Sequence, residues 1–124
     1  MSNPKKRLRD EADKLWKYKI IGDRKLCEVC EKEPVETGHH FFPKSAYGHL
    51  RYELTNGIAI GRTCHFRHHH VGDPTIHQTI IEKRGEKWYE TLKAKALQRP
   101  KASFQTVSYY QQVIKQLECG KINN

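Results

Sequence analysis

The densest chemistry in this chain lies between Cys27 and His70, and any fold has to be built around it. Seven of the eight histidines and three of the four cysteines fall there, as Cys27-Glu28-Val29-Cys30, His39-His40-Phe41, His49, Cys64-His65 and His68-His69-His70. Buried polar groups need partners, so an apolar core has no use for so many imidazoles and thiols. The pattern predicts metal coordination. Cys27 and Cys30 form a knuckle that turns two sulfurs towards one cation, and Cys64 supplies a third. Adjacent histidines in an extended segment point to opposite faces, so His39 can meet a metal while His40 meets a water or a substrate atom. His65 and His69, four apart, share one face of a helix and can converge on a single cation.

Charge narrows the choice of partner. Twenty-three Lys and Arg against fourteen Asp and Glu give +9 and a pI near 9.5, which suits a protein that meets nucleic-acid phosphate; plain solubility is the bland alternative. At 124 residues the expectation is one domain, with a thin core that a structural metal would help. No apolar run reaches membrane-spanning length, and the basic N-terminus is not followed by the apolar stretch of a signal peptide. These features predict a cytoplasmic protein, in which reduced cysteines read as metal ligands before disulfides. A redox role for Cys27 and Cys30 is disfavoured, because no βαβ pattern surrounds them.

Periodicity divides the chain into three parts. Over residues 5–22, Leu8, Ala12, Leu15, Trp16 and Ile20 recur at helical spacing until Gly22, with Trp16 and Tyr18 read as packing residues. Residues 25–72 hold the metal core. There Val35–Phe42 reads as a first strand stopped by Pro43, residues 43–55 as a basic loop, Asn56-Gly57 as a turn, and Ile58–Ile60 as a second strand. Thr63 is the expected N-cap of the helix bearing Cys64, His65 and His69. Residues 73–120 read as helices: one from Asp73-Pro74 through Ile76, Ile80 and Ile81, one around Trp88, Leu92 and Ala96, and one carrying Val107, Tyr110, Ile114 and Leu117 up to Gly120. That last stripe is expected to pack within the monomer, a homodimer staying open. His77 is placed on a helix surface, and His68 and His70 beside the metal or on phosphate. The fold class is one small α+β domain.

Taken together, Cys-x-x-Cys, His39-His40 followed by Phe41 and Pro43, Asn56 before an apolar strand, and Cys64-His65-x-x-x-His69 resemble the HNH endonuclease family, over roughly residues 25–90. Leu50-Arg51-Tyr52-Glu53-Leu54-Thr55-Asn56-Gly57-Ile58 is similar to its phage-encoded branch. The downstream helices are weakly similar to phage recombination nucleases of the NinG/Rap type. The resemblance implies a ββα-metal (His-Me finger) centre packed among helices. It implies hydrolysis of DNA phosphodiester bonds to 5′-phosphate and 3′-hydroxyl ends, in phage recombination, packaging or DNA processing inside a bacterial host cell. In that reading His40 is the general base and Asn56 braces the catalytic loop or completes the metal shell. A divalent cation (Mg, Mn, Ni or Zn) on His39, His65 and His69 stabilises the departing 3′ oxygen, while Lys44, Arg51, Arg62 and Arg67 contact DNA. Structural zinc is expected on Cys27, Cys30 and Cys64. The family usually supplies a second Cys-x-x-Cys there, and Gly61 stands where its first cysteine belongs. The fourth ligand is left among His68, His70 and Cys119, or the three sulfurs simply pack together. A non-catalytic zinc-containing DNA- or RNA-binding module is the alternative from another class, and a subunit of a phage packaging or recombination assembly is a third. His40 beside His39 favours the enzyme.

Overall fold

Asn3 and Pro4 start the first helix. The Asn3 side-chain oxygen accepts the Lys5 N–H at 2.9 Å, Pro4 stands where an amide proton has no helical partner anyway, and α1 then runs Pro4–Ile21. The computed structural model describes residues 3–119. Along α1, Ala12 and Trp16 are buried and Leu8, Leu15 and Ile20 pack around them, which is the face the spacing predicts.

Beneath α1 lies a two-stranded antiparallel sheet. Strand β1 (Val35–His40) pairs with β2 (Gly57–Gly61), His39 opposite Ile58 and His40 opposite Gly57. β1 stops two residues short of the expected Phe42 because a side chain takes over from the ladder. Asn56 Oδ1 accepts the Phe42 N–H at 2.8 Å, and Asn56 Nδ2 donates to the Phe42 carbonyl at 3.1 Å and the Leu50 carbonyl at 3.3 Å. Asn56-Gly57 is therefore not the turn its sequence suggests. Two 3₁₀ turns, Gly48–Leu50 and Leu54–Asn56, make the connection, and Gly57 is already extended at φ −99. Close approach explains the glycine: a Cβ there would lie 2.1 Å from Ile20 Cδ1 and 2.9 Å from Trp16 Cζ2.

β2 is buried along its whole length. Ile58 and Ile60 join Ile76 and Ile80 of α3 (Thr75–Arg84) and Leu92 and Ala96 of α4 (Glu86–Leu97), while the side that begins with Gly57 admits α1. Helices thus cover both faces of the sheet. α5 (Val107–Cys119) starts at Thr106, whose Oγ1 accepts the Tyr109 N–H at 3.1 Å, and buries Val113, Ile114 and Leu117 against Ala12 and Trp16 of α1. Its apolar stripe is used within the monomer; Gly120, expected to end it, lies outside the described residues. The architecture is a small α+β domain, as expected. No helix among the described residues is long and apolar enough to cross a membrane.

Candidate metal centre

Two groups of metal-binding side chains meet on one short helix, α2 (Arg62–Phe66), which is followed by a wide i→i+5 turn over Arg67–Val71. Cys64 faces one group and His65 the other.

The first group begins with the knuckle. Cys27 is fully buried, its Sγ accepts the Val29 N–H at 3.3 Å, Cys30 Sγ accepts the Lys32 N–H at 3.5 Å, and Glu31 adopts φ 58 to close the turn. Backbone N–H groups aimed at sulfur favour thiolates. Burial acts against them. It pushes the Cys64 thiol well up, reinforced by Cys27 close by. A cation would reverse that balance, because coordinated thiols are deprotonated.

Glu33, which nothing in the sequence marks as a ligand, joins the three cysteines. One ligand atom each from Cys27, Cys30, Cys64 and Glu33 all lie within 4.8 Å of one another. The Glu33 carboxylate also accepts the Thr63 N–H at 2.9 Å and the Cys64 N–H at 3.1 Å, so it caps α2. That corrects the expected N-cap: Thr63 lies inside α2, and Gly61 occupies the cap position with no side chain to offer. Gly61 and Glu33 explain each other. A Cβ on residue 61 would sit 2.3 Å from Glu33 Cγ and 2.8 Å from the Pro34 carbonyl oxygen, so the glutamate stands where the missing cysteine would have entered. Of the expected alternatives, His68 turns to the second group, while His70 and Cys119 are exposed.

The second group is all imidazole. Strand alternation separates His39 from His40 as predicted, and His39, 6% exposed, turns towards the wide turn after α2. Its ring centroid lies 5.4 Å from that of His65, 4.6 Å from His68 and 5.1 Å from His69. One nitrogen each from His39, His65 and His69 lie within 4.8 Å of one another, so the pair expected from helical spacing meets the histidine that the family resemblance adds to it. The regular helix expected beneath them is replaced by the i→i+5 turn. Such turns recur at functional sites, and by narrowing the angle between successive side chains this one lets His68 and His69 both reach His39.

His77 corrects another expectation. It does not lie on a helix surface: its ring stacks on Phe41 at 4.2 Å and on His68 at 4.4 Å. The signal was available, since His77 precedes Ile81 by four and adjoins the buried Ile76 on the inward side of α3. A second set, His39, His68 and His77, also lies within 4.8 Å. His39 Nε2 and His77 Nε2 are buried without a hydrogen-bond partner among the described residues. Such atoms cost about 1–3 kcal/mol each unless something binds them, so the residues fit a cation. Burial, with the neighbouring histidines, holds His39 down at about 2; burial holds His77 at about 4 and lowers His65 and His68 too. Their lone pairs are free at neutral pH.

His40 sits on the other side of β1. Its ring lies flat on Trp16, centroids 4.0 Å apart and planes 3° apart, and its Nε2 is 2.9 Å from the Arg51 carbonyl. A carbonyl only accepts, so in the neutral ring Nε2 carries the proton and Nδ1 keeps its lone pair. Burial brings His40 down to about 4, against the opposing pull of that hydrogen bond. Trp16 Nε1 in turn donates to the Glu53 carbonyl at 3.2 Å. His39 and His40 both line one cavity of about 290 Å³, with His65, His68 and His69 and with Lys17 and Lys44.

The basic residues expected on DNA divide. Lys44 and Arg62 are exposed, and Lys44 borders the cavity together with Lys17, which no motif in the sequence marks. Arg51 is instead held by Asp13 of α1 through Nε–Oδ1 at 2.8 Å and Nη2–Oδ2 at 2.6 Å, so it positions the loop whose carbonyl holds His40. Arg67 is paired with Asp73. Asn56, fully buried, bonds only to loop backbone; it braces the connection between the strands and joins neither group of metal-binding side chains. Compared with known proteins, the chain matches no family model, no curated protein and no solved structure.

Proposed function

We propose that this protein is a metal-dependent DNA endonuclease of the HNH type, phage-derived and acting in the host cytoplasm. The observation that carries the reading is the divergence of two adjacent histidines around one cavity. His39 enters a cluster of imidazoles, while His40 is fixed outside it on Trp16 with a free Nδ1. A binding module has no need of a histidine held in that way.

In this reading His39, His65 and His69 hold the working cation, which supplies positive charge to the scissile phosphate and the departing 3′ oxygen. His40 Nδ1 takes the proton of the attacking water. The Arg51 carbonyl keeps the tautomer that leaves Nδ1 available, and Trp16 fixes the plane of the ring. Lys17 and Lys44 attract the phosphate to the cavity. An all-imidazole donor set suits zinc, nickel or other transition metals better than magnesium. Zinc on Cys27, Cys30, Cys64 and Glu33 ties the knuckle to α2 and so holds His65 in place.

The test is relaxation of a supercoiled plasmid by the full chain with manganese, nickel, cobalt or zinc. Wild type should cleave and stop on chelation, and His40→Ala should be slower by roughly 10²–10⁴-fold. No cleavage with any of these cations, alongside salt-sensitive DNA binding, would leave the binding-module reading in its place.

A further inference from the structure

One buried nitrogen has no task in the site as proposed, that of His77. His39 Nε2 and His77 Nε2 lack any hydrogen-bond partner among the described residues, and His68 lies between their rings, 4.6 Å from His39 and 4.4 Å from His77 by centroid. A ring needed only for packing against Phe41 would do as well as phenylalanine. A histidine there leaves a polar atom desolvated with nothing in return, which folded chains avoid. One nitrogen each from His39, His68 and His77 already lie within 4.8 Å of one another.

We infer that His39, His68 and His77 form a second, enclosed position for a transition-metal cation, which competes with the open position for His39. The donors are three neutral imidazoles, a set that takes zinc, nickel, cobalt or copper and has little affinity for magnesium or calcium. Competition follows from the chemistry of the shared ligand. A neutral imidazole has one lone-pair nitrogen, so His39 serves one cation at a time. A cation in the enclosed position withdraws His39 from His65 and His69 and leaves the open position with two ligands. The two positions thereby make the site responsive to which metal is present and how much. The inference takes from the nuclease reading only that His39 is a ligand.

The experiment is cobalt(II) titration of the full chain with its cysteine group already loaded with zinc. Equilibrium dialysis counts the metal, and the visible bands of cobalt report nitrogen donors as distinct from sulfur. His65→Ala/His69→Ala, which dismantles the open position, should still bind one equivalent. Adding His77→Phe, which keeps the ring on Phe41 and removes the nitrogen, should abolish that equivalent. His68→Ala in the same background, at a partly exposed position, should do so without touching the core. Wild type should bind one equivalent at the histidines. Failure of His65→Ala/His69→Ala to bind cobalt, or binding that survives both His77→Phe and His68→Ala, would overturn the enclosed position; two histidine-bound equivalents in wild type would overturn the competition. Loss of cobalt from His68→Ala/His77→Phe would count instead against the open position of the nuclease reading.

Discussion

Cys64 and His65 are neighbours on α2, yet they serve two groups built on opposite rules. Around Cys64 the donors are held from outside the group: the Cys27 and Cys30 sulfurs receive backbone N–H groups, and the Glu33 carboxylate is tied to the first turn of the helix. Around His65 the donors outnumber what one cation needs, two nitrogens are buried without a partner among the described residues, and the group borders a cavity. A closed set of four donors is the form of a structural site, and an open set beside a cavity is the form of a working one. Sequence adjacency tells nothing of this, because a single residue step on a helix turns a side chain through about 100°.

The sharpest way to break the contrast is to remove one ligand from each group. Apparent binding energies of structural zinc run to roughly 10–16 kcal/mol, so Cys27→Ser should lose zinc and most of its cooperative thermal transition, while His65→Ala should keep zinc and melt within a few degrees of wild type. Elemental analysis beside a thermal melt reads both. Equal melting of the two variants would mean that the cysteine group is not structural.

Glu33 gives a smaller effect. Glu33→Ala uncaps α2 at a cost of about 1 kcal/mol and also weakens zinc retention against a chelator. A variant that loses stability but holds zinc as firmly as wild type would make Glu33 a cap only.

Acid should act on the histidine group. His39, His40 and His77 sit at about 2, 4 and 4 in the folded protein against an ordinary 6.5. Between pH 6.5 and about 4 the unfolded chain therefore binds protons that the folded chain refuses, and stability is full above that window and falls as pH drops through it. Metal-free protein should melt lower at pH 4.5 than at pH 7.5, with a smaller drop in His77→Phe. An unchanged or higher melting point at pH 4.5 would contradict the burial of these rings. The same values place neutral His40 at every pH from 5 upward, so the acid limb of cleavage should lie below the 6.5 of an ordinary histidine.

Least in size is the contribution of the flanking charges. Lys17→Ala/Lys44→Ala should lower the slope of log affinity against log salt by about 2 and leave metal content unchanged. An unaltered slope would place DNA on another face.

Much of this was legible beforehand, for identifiable reasons. α1 and α5 announce themselves through apolar residues at three-four spacing, and the opposite facings of His39 and His40 follow from strand alternation alone. What stayed hidden depends on tertiary distance. Asp13 and Arg51 pair across 38 positions, and neither spacing nor composition couples a helix to a loop so far away. Glu33 looks like one more solvated acid until the backbone shows that it fills the space beside Gly61. The Asn56-Gly57 pair misled because the turn preference of those residues is real but was overridden by packing, α1 needing a bare backbone at Gly57 and the loop needing the Asn56 amide. The inward place of His77, by contrast, is written in the sequence, beside the buried stripe of α3.

The divergence of His39 and His40 is the centre of the account, and one paired measurement reaches it: metal content at the histidine group and plasmid cleavage, taken together on His39→Ala and His40→Ala with zinc retained at the cysteines. The account expects His40→Ala to hold its cation and DNA as wild type does while losing most cleavage, and His39→Ala to lose the cation and recover part of its cleavage when metal is added in excess. A His40→Ala protein that releases its cation, or cleaves at the wild-type rate, would contradict it.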